Sequence, residues 1–490
     1  MKNILTKYLL LIFMAATTVS CNDWLNVTSS SELQADKLFE TRAGFHEALT
    51  GVYMNMGTSN VYGGSYMWSV NNYAAYPYSI NSQLNVSEIQ KHKYTLERIK
   101  TVIDGMWSSG YNIIANINII LRELEARRNV VTSDVEYNLI KGELLAIRAL
   151  VHFDLMRMFG VNDWSGENAT KLTIPYIKEY TAQVTPQLSY AATEELLLDD
   201  LTTALNCLRE TDPIIVEPSG SFESTLNSDG YWTNRSKRMN YYAVAALAAR
   251  VYQWKNELET ASNYAQEVID GVFDAGLVSW VDSDAIVKES SEDLKDWIFS
   301  TEHIFSLDVT DLYSSLRVMF FSGDRNALYI DDSFVSVLFP SSDLAGAEDI
   351  RGTALHLKYT NLGYVLYKYY GSSNFISAYR NRIPMTRISE MYYIVAEYLI
   401  SQGQNADALK QLDIVREHRG ITSELSADLD ASEELLKEYY REFVGEDKLF
   451  YYLKHIKAEK SLSSTFDLTA NSLIYPYPDE EINYGRKQEL

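Results

Sequence analysis

Cysteine is scarce in this chain: its 490 residues hold only Cys21 and Cys207. Two thiols close at most one bridge, which excludes a disulfide-built scaffold. A membrane span is missing as well, since nothing beyond the first twenty residues approaches the ~20 consecutive apolar residues that crossing a bilayer requires. Basic residues are in deficit, 43 Lys and Arg against 66 Asp and Glu, for a formal net charge of −23. That balance repels nucleic acid and anionic lipid headgroups. Catalytic signatures are also wanting. His46 and Glu47 begin a zinc-protease box, but Thr50 stands where the second histidine belongs. Neither a G-x-S-x-G elbow nor a phosphate loop ending in G-K-S/T occurs. Asp282 with Asp284, and Asn227 with Asp229, match parts of calcium loops without the full ligand set and read as polar turns.

What is present begins at the N-terminus. Lys2 and Lys7 precede an apolar run from Tyr8 to Ala16, and Thr17, Thr18 and Ser20 lead to Cys21. A basic region, a short apolar region and a small-residue cleavage site make an export leader. A cysteine at the cut is what lipoprotein processing acylates, and two or three acyl chains anchor stably where one does not. The expected layout is a lipoprotein signal peptide over residues 1–20, a lipidated tether over 21–35 and one domain over 36–490. Removing Lys2 and Lys7 with the leader takes the charge from −23 to −25. With Cys21 acylated, Cys207 has no intramolecular partner and reads as a packed thiol.

Helical periodicity dominates the domain. In "TRAGFHEALTGVYMNM", Thr41 is a candidate N-cap and Phe45, Leu49, Val52 and Met56 form one stripe. Long amphipathic helices are expected in the segments around 96–128 and 134–160, the latter with Leu144, Ile147, Val151, Leu155 and Met158 on one face. The pair from Tyr241 to Gly271, with Ala243, Ala246, Ala249, Ala261 and Ala265 at close-packing positions, resembles a tetratricopeptide unit. A second pair spans "RISEMYYIVAEYLISQGQNADALKQLDIVREHRG", with Ala396 in its first helix, a turn at Gly403 and a stop at Gly420. The fold class is therefore mainly α, a tetratricopeptide-like helix-pair scaffold in which each pair needs neighbours to bury its faces.

Two excursions interrupt it. Residues 57–87 are rich in Gly, Asn, Ser and Tyr without a helical period, and read as a long surface segment. Residues 272–384 carry short β-favouring runs, "WIFSTEHIFSLDV", "LRVMFFSG" and "GYVLYKYYG", between polar clusters. Thirty-six tyrosines against seventeen phenylalanines suit wet binding surfaces, because tyrosine joins a flat apolar face to a hydroxyl.

"GELLAIRALVHFDLMRMFGV" resembles the signature of the SusD/RagB family, with Glu143, Arg148, Asp154 and Phe159 in register. Ordered matches follow at Arg387, Glu390, Ala396 and Glu397, at Val415, Arg416 and Gly420, and at Pro476, Pro478, Glu481 and Ile482. In "EYYREFVGEDKLFYYLKH", Glu438, Arg441, Glu442 and Glu446 fit, whereas Tyr439, Asp447, Leu449 and Tyr452 replace the family's usual arginine, glycine, arginine and aspartate. "INYG" replaces its usual Asn-Pro. The matched charges read as a structural network between helices rather than as catalysts.

This resemblance implies a non-enzymatic, surface-exposed outer-membrane lipoprotein that captures an oligosaccharide and caps a SusC-like TonB-dependent transporter, with Asp23 fitting an acidic surface-export signal. It implies binding through an aromatic platform, since the C–H face of a pyranose stacks on an aromatic ring while hydroxyls need polar groups at the rim. Trp68, Tyr66, Tyr73, Tyr76, Asn72 and Asn81 in the first excursion are the candidate contacts, joined by Tyr313 and Arg317 in the second, with Trp280 and Trp297 behind them. No cofactor and no metal site is expected, a structural calcium ion being left open. Capture of peptides by a member of the same family, and an exported helical scaffold binding only protein partners, are the alternatives. A glycoside hydrolase ranks last because no acid/base pair can be named.

Overall fold

The computed structural model describes residues 37–79, 84–216, 226–289, 295–310, 312–316, 320, 328–342, 344–352, 357–360, 363–369, 381–463, 468–469 and 472–485; Cys21 and its tether lie outside them. Its longer helices are α1 (Arg42–Met56), α2 (Glu97–Ala126), α3 (Asp134–Phe159), α4 (Tyr190–Arg209), α5 (Tyr241–Trp254), α6 (Leu258–Asp274), α7 (Ile388–Ser401), α8 (Asn405–Glu417), α9 (Ala431–Glu442) and α10 (Lys448–His455). None is long and apolar enough to cross a membrane.

Side-chain caps start five of these ten helices. The Thr41 hydroxyl accepts the Gly44 N–H at the head of α1, and Ser133, Ser189, Asn240 and Asp430 cap α3, α4, α5 and α9 in the same way. Each side-chain oxygen replaces a carbonyl that the first helical turn lacks, a gain of ~1 kcal/mol. The predicted stripe Phe45, Leu49, Val52 and Met56 is buried.

Helix α3 departs from expectation. Every residue from Gly142 to Phe159 is buried, so it is a central helix rather than an amphipathic one. It packs against both α2 and α4.

From there the scaffold continues as pairs. Helix α4 touches α5, α5 packs on α6, α6 on α7 and α7 on α8, with α9 against α7 and α8. The two pairs read from the sequence are thus direct neighbours through α6 and α7, and the insert between them is looped out. Ala243, Ala246 and Ala249 of α5, Ala261 and Ala265 of α6 and Ala396 of α7 are all buried, as close helix approach demands.

The strands lie in that insert. β1 (His303–Asp308) pairs antiparallel with β4 (Arg382–Arg387), matching Ser306 to Pro384 and Leu307 to Ile383. β2 (Leu357–Thr360) and β3 (Gly363–Leu366) form a second antiparallel pair. The insert is not purely extended, since short helices occur at Ser283–Lys288, Leu312–Leu316, Asp332–Leu338 and Leu344–Glu348. "LRVMFFSG" falls largely outside the described residues.

Candidate functional site

The first excursion is not a surface segment. Its backbone turns tightly because Gly63 and Gly64 come so close to the carbonyls of Gly57 and Ser59 that a Cβ would fall about 2 Å from those oxygens. The following helix, Val70–Ala75, packs on α10. Trp68, Tyr66, Tyr73, Tyr76 and Asn72, expected at the ligand, are between 0 and 6% exposed. Their polar atoms are used inward. Tyr66 donates to the Met106 carbonyl at 2.9 Å, and Asn72 donates to the Tyr78 hydroxyl at 2.9 Å. Trp68 packs on Tyr369, and Tyr76 on Phe334 and Tyr440. Burial drives the hydroxyls of Tyr66, Tyr73 and Tyr76 well above the usual tyrosine range. Rings enclosed in this way offer no face to a sugar. Asn81 and Arg317 lie outside the described residues, and for Tyr313 only its place in the helix Leu312–Leu316 is described. Of the weaker candidates, Trp280 stacks on His418 with ring centroids 4.3 Å apart, and Trp297 is buried against Tyr367.

The same contacts bring the two excursions together. Ser79 donates its N–H to the Tyr329 carbonyl at 2.7 Å, and Ile330 exchanges both backbone hydrogen bonds with Tyr364 of β3, at 2.6 and 3.1 Å. Tyr78 packs against Phe320, ring centroids 6.2 Å apart. A short ladder results, running from the end of the first excursion through 329–330 to the β2–β3 pair. Directly bridged residues share a face of such a ladder. Ser79 and Tyr329 are therefore neighbours, and Gly363 completes the platform: at φ +122°, its missing Cβ would sit 3.1 Å from the Tyr329 ring. Tyr329 and Ser79 are half-buried, while Asp331, Asp332 and Ser333 beside them are exposed. This combination of a partly open ring, a hydroxyl and carboxylates was not singled out in the sequence. "LYIDDS" is an unremarkable string until Gly363 arrives beneath the ring.

The matched charged residues have no catalytic arrangement. Glu143 is fully buried between Arg235 at 2.5 Å and the Tyr53 hydroxyl at 2.6 Å. Arg148 grips Asp200 with two hydrogen bonds of 2.6 and 2.7 Å, and Asp154 accepts from Tyr62 at 2.6 Å. Glu390 holds Arg250, Glu397 holds His455, and Arg416 holds Asp413. Glu442 sits among Arg351, Arg387 and Arg419. Burial alone would raise its carboxyl, but Arg419 and Arg387 outweigh burial and hold it well below the usual range. Glu438 is likewise pushed against burial, by Arg351 and Arg441, down to about 2. Carboxylates fixed in this ionised state serve neither as general acids nor as proton shuttles. Among the described residues no group of three or more His, Cys, Asp or Glu could hold a metal ion. Asn227 and Asp229 instead accept the backbone N–H groups of Trp232 and Tyr231, and Asp282 caps the helix Ser283–Lys288.

Fold and site together define a helix-pair scaffold that carries a loop-and-strand face and has no assembled catalytic centre among its described residues. Residues 23–218 match the SusD-like family model described as "Starch-binding associating with outer membrane", and residues 349–487 match the SusD/RagB model described as "SusD family". The chain belongs to the SusD family. Similar solved structures include a SusD superfamily protein from Bacteroides vulgatus (20% identity, TM-score 0.70, covering 90% of this chain and 96% of that one). A putative sugar binding protein from the same organism is 21% identical, with TM-score 0.67 and the same coverage. A SusD superfamily protein from Bacteroides thetaiotaomicron is 20% identical, with TM-score 0.66, covering 91% and 98%. No curated protein matches the chain.

Proposed function

We propose that this protein is a lipid-anchored, surface-exposed outer-membrane lipoprotein that captures an oligosaccharide at the junction of its two excursions and passes it to a SusC-like TonB-dependent transporter. The observation that carries this reading is the Ser79–Tyr329–Gly363 platform, where a half-buried tyrosine bridges Ser79, lies over Gly363 and is followed in the chain by the exposed Asp331 and Asp332, in a family whose matching model is described as starch-binding and outer-membrane-associating. A pyranose C–H face needs such a ring, and its hydroxyls need such a rim. Binding without turnover fits the charged residues of the family signature, which are committed to ion pairs and hydrogen bonds within the scaffold. The export leader and Cys21 support the anchor, and the SusD resemblance supports the transporter partner.

Calorimetry of the protein against neutral oligosaccharides, with oligopeptides in parallel, tests this. One glycan class should give saturable heat and the peptides none. Tyr329→Ala should weaken that binding roughly three- to tenfold, the loss of one stacking contact, without changing the helical circular dichroism. Heat with peptides alone would move the chain to peptide capture. Silence with both would leave the protein-binding scaffold.

A further inference from the structure

Two carboxylates follow Tyr329 closely in the chain, and the fold spends neither of them. The short helix Asp332–Leu338 begins there, and Asp331 holds its N-cap position without accepting a backbone N–H through its side chain. An aspartate at that position ordinarily gives its carboxylate to the first turn. Here Asp331 and Asp332 are both exposed, and among the described residues no Lys or Arg pairs with either.

The neighbouring elements do little to balance them. β3 and α9 pack against this helix. β3 carries no charged residue. On α9, Lys437 pairs with Glu434 at 2.6 Å and Arg441 with Glu438 at 2.9 Å, and Arg441 also donates to the Leu338 carbonyl at 2.7 Å. Lys368, just beyond β3, is buried and pairs with Glu446. On the face of the β2–β3 pair that holds Gly363, the register places Lys358, opposite Val365. Two carboxylates thus stand against one lysine, in a chain whose formal net charge is −23.

That balance separates classes of glycan. A uronate or sulfate ester brought to the Tyr329 ring meets like charge, whereas a hydroxyl donates to the same carboxylates and an ammonium pairs with them. Like charges ~6 Å apart at a wet surface weaken binding roughly threefold per pair, so about tenfold for two, and the penalty fades as salt shortens the Debye length.

Resting on the capture reading above, we propose that the junction selects glycans without negative charge, neutral or amine-bearing, and rejects uronate-rich and sulfated ones. The test is calorimetry with maltohexaose, cellohexaose, laminarihexaose and mannohexaose, each beside its counterpart oxidised to the uronate at C6, together with hexagalacturonate and a chondroitin sulfate hexasaccharide. In low salt, at least one neutral glycan should bind about tenfold tighter than its oxidised counterpart. The gap should narrow to roughly threefold or less in ~0.5 M sodium chloride. It should narrow likewise in the double variant Asp331→Asn, Asp332→Asn, which keeps a polar rim and removes its charge. A gap unmoved by that variant overturns the proposal, because the oxidised glycan is then refused by shape. Tighter binding of any oxidised or sulfated glycan overturns it while leaving capture standing, and silence from every glycan overturns both.

Discussion

A tyrosine or tryptophan in this sequence is ambiguous one residue at a time, because the same ring can stack on a sugar or fill a core. What decides is where its polar atom finds a partner. Tyr53, Tyr62 and Tyr393 donate to the buried carboxylates of Glu143, Asp154 and Glu438, and Tyr66 donates to a backbone carbonyl. These hydroxyls are satisfied inside, so the aromatic richness of residues 57–79 builds core. Trp68→Ala should accordingly act as a cavity mutation. The expected loss is ~3–5 kcal/mol of stability by urea denaturation, the usual range for a buried tryptophan. A Trp68→Ala protein of unchanged stability and lost glycan affinity would instead return Trp68 to the ligand.

Elements were the most legible level, because caps and apolar spacing are local signals that need no tertiary partner. Thr41, the stripe of α1, the alanines of α5 and α6 and the turn at Gly403 all stand where the sequence puts them. Burial of α3 was hidden, since periodicity reports which face is apolar and not how many neighbours cover the helix. Between α9 and α10 the departures from the family pattern explain each other. Tyr439 and Tyr452, standing where arginine and aspartate are usual, stack face to face with centroids 3.7 Å apart and an interplanar angle of 2°. A buried aromatic stack thus joins α9 to α10 at two positions where the sequence departs from the pattern it resembles. Tyr452→Asp alone should destabilise strongly, by ~3–5 kcal/mol, because it buries an unpaired carboxylate. Adding Tyr439→Arg should recover part of that, with a coupling of ~1 kcal/mol or more in a double-mutant cycle. Strict additivity would mean that the two positions do not pair.

At the scale of the whole molecule, one buried charge network ties the insert to the C-terminal helices. Glu302, Asp349, Arg351, Lys368 and Arg387 come from the insert and its final strand, and they meet Arg419, Glu438, Glu442 and Glu446. The carboxyls of Glu438, Glu442 and Glu446 all lie below their ordinary values in the folded state, because the arginines and Lys368 outweigh burial. A depressed carboxyl contributes stability that is complete above its unfolded value, near 4.3, and is lost as pH falls through the folded value. Urea midpoints should therefore fall steeply from about pH 4.5 towards pH 2, the folded value of Glu438. Glu438→Gln, less stable at pH 7, should show a shallower fall; an unchanged slope would place the acid-sensitive groups elsewhere. By itself the sequence determined the start of α1, the small-residue pairs, the strand-bearing insert and the family, because each is written in local spacing or ordered motifs. Only the tertiary structure decided which aromatics are core and that Ser79, Tyr329 and Gly363 share one platform. Those residues are far apart in the chain, and side-chain burial and cross-strand register exist only once distant segments have met.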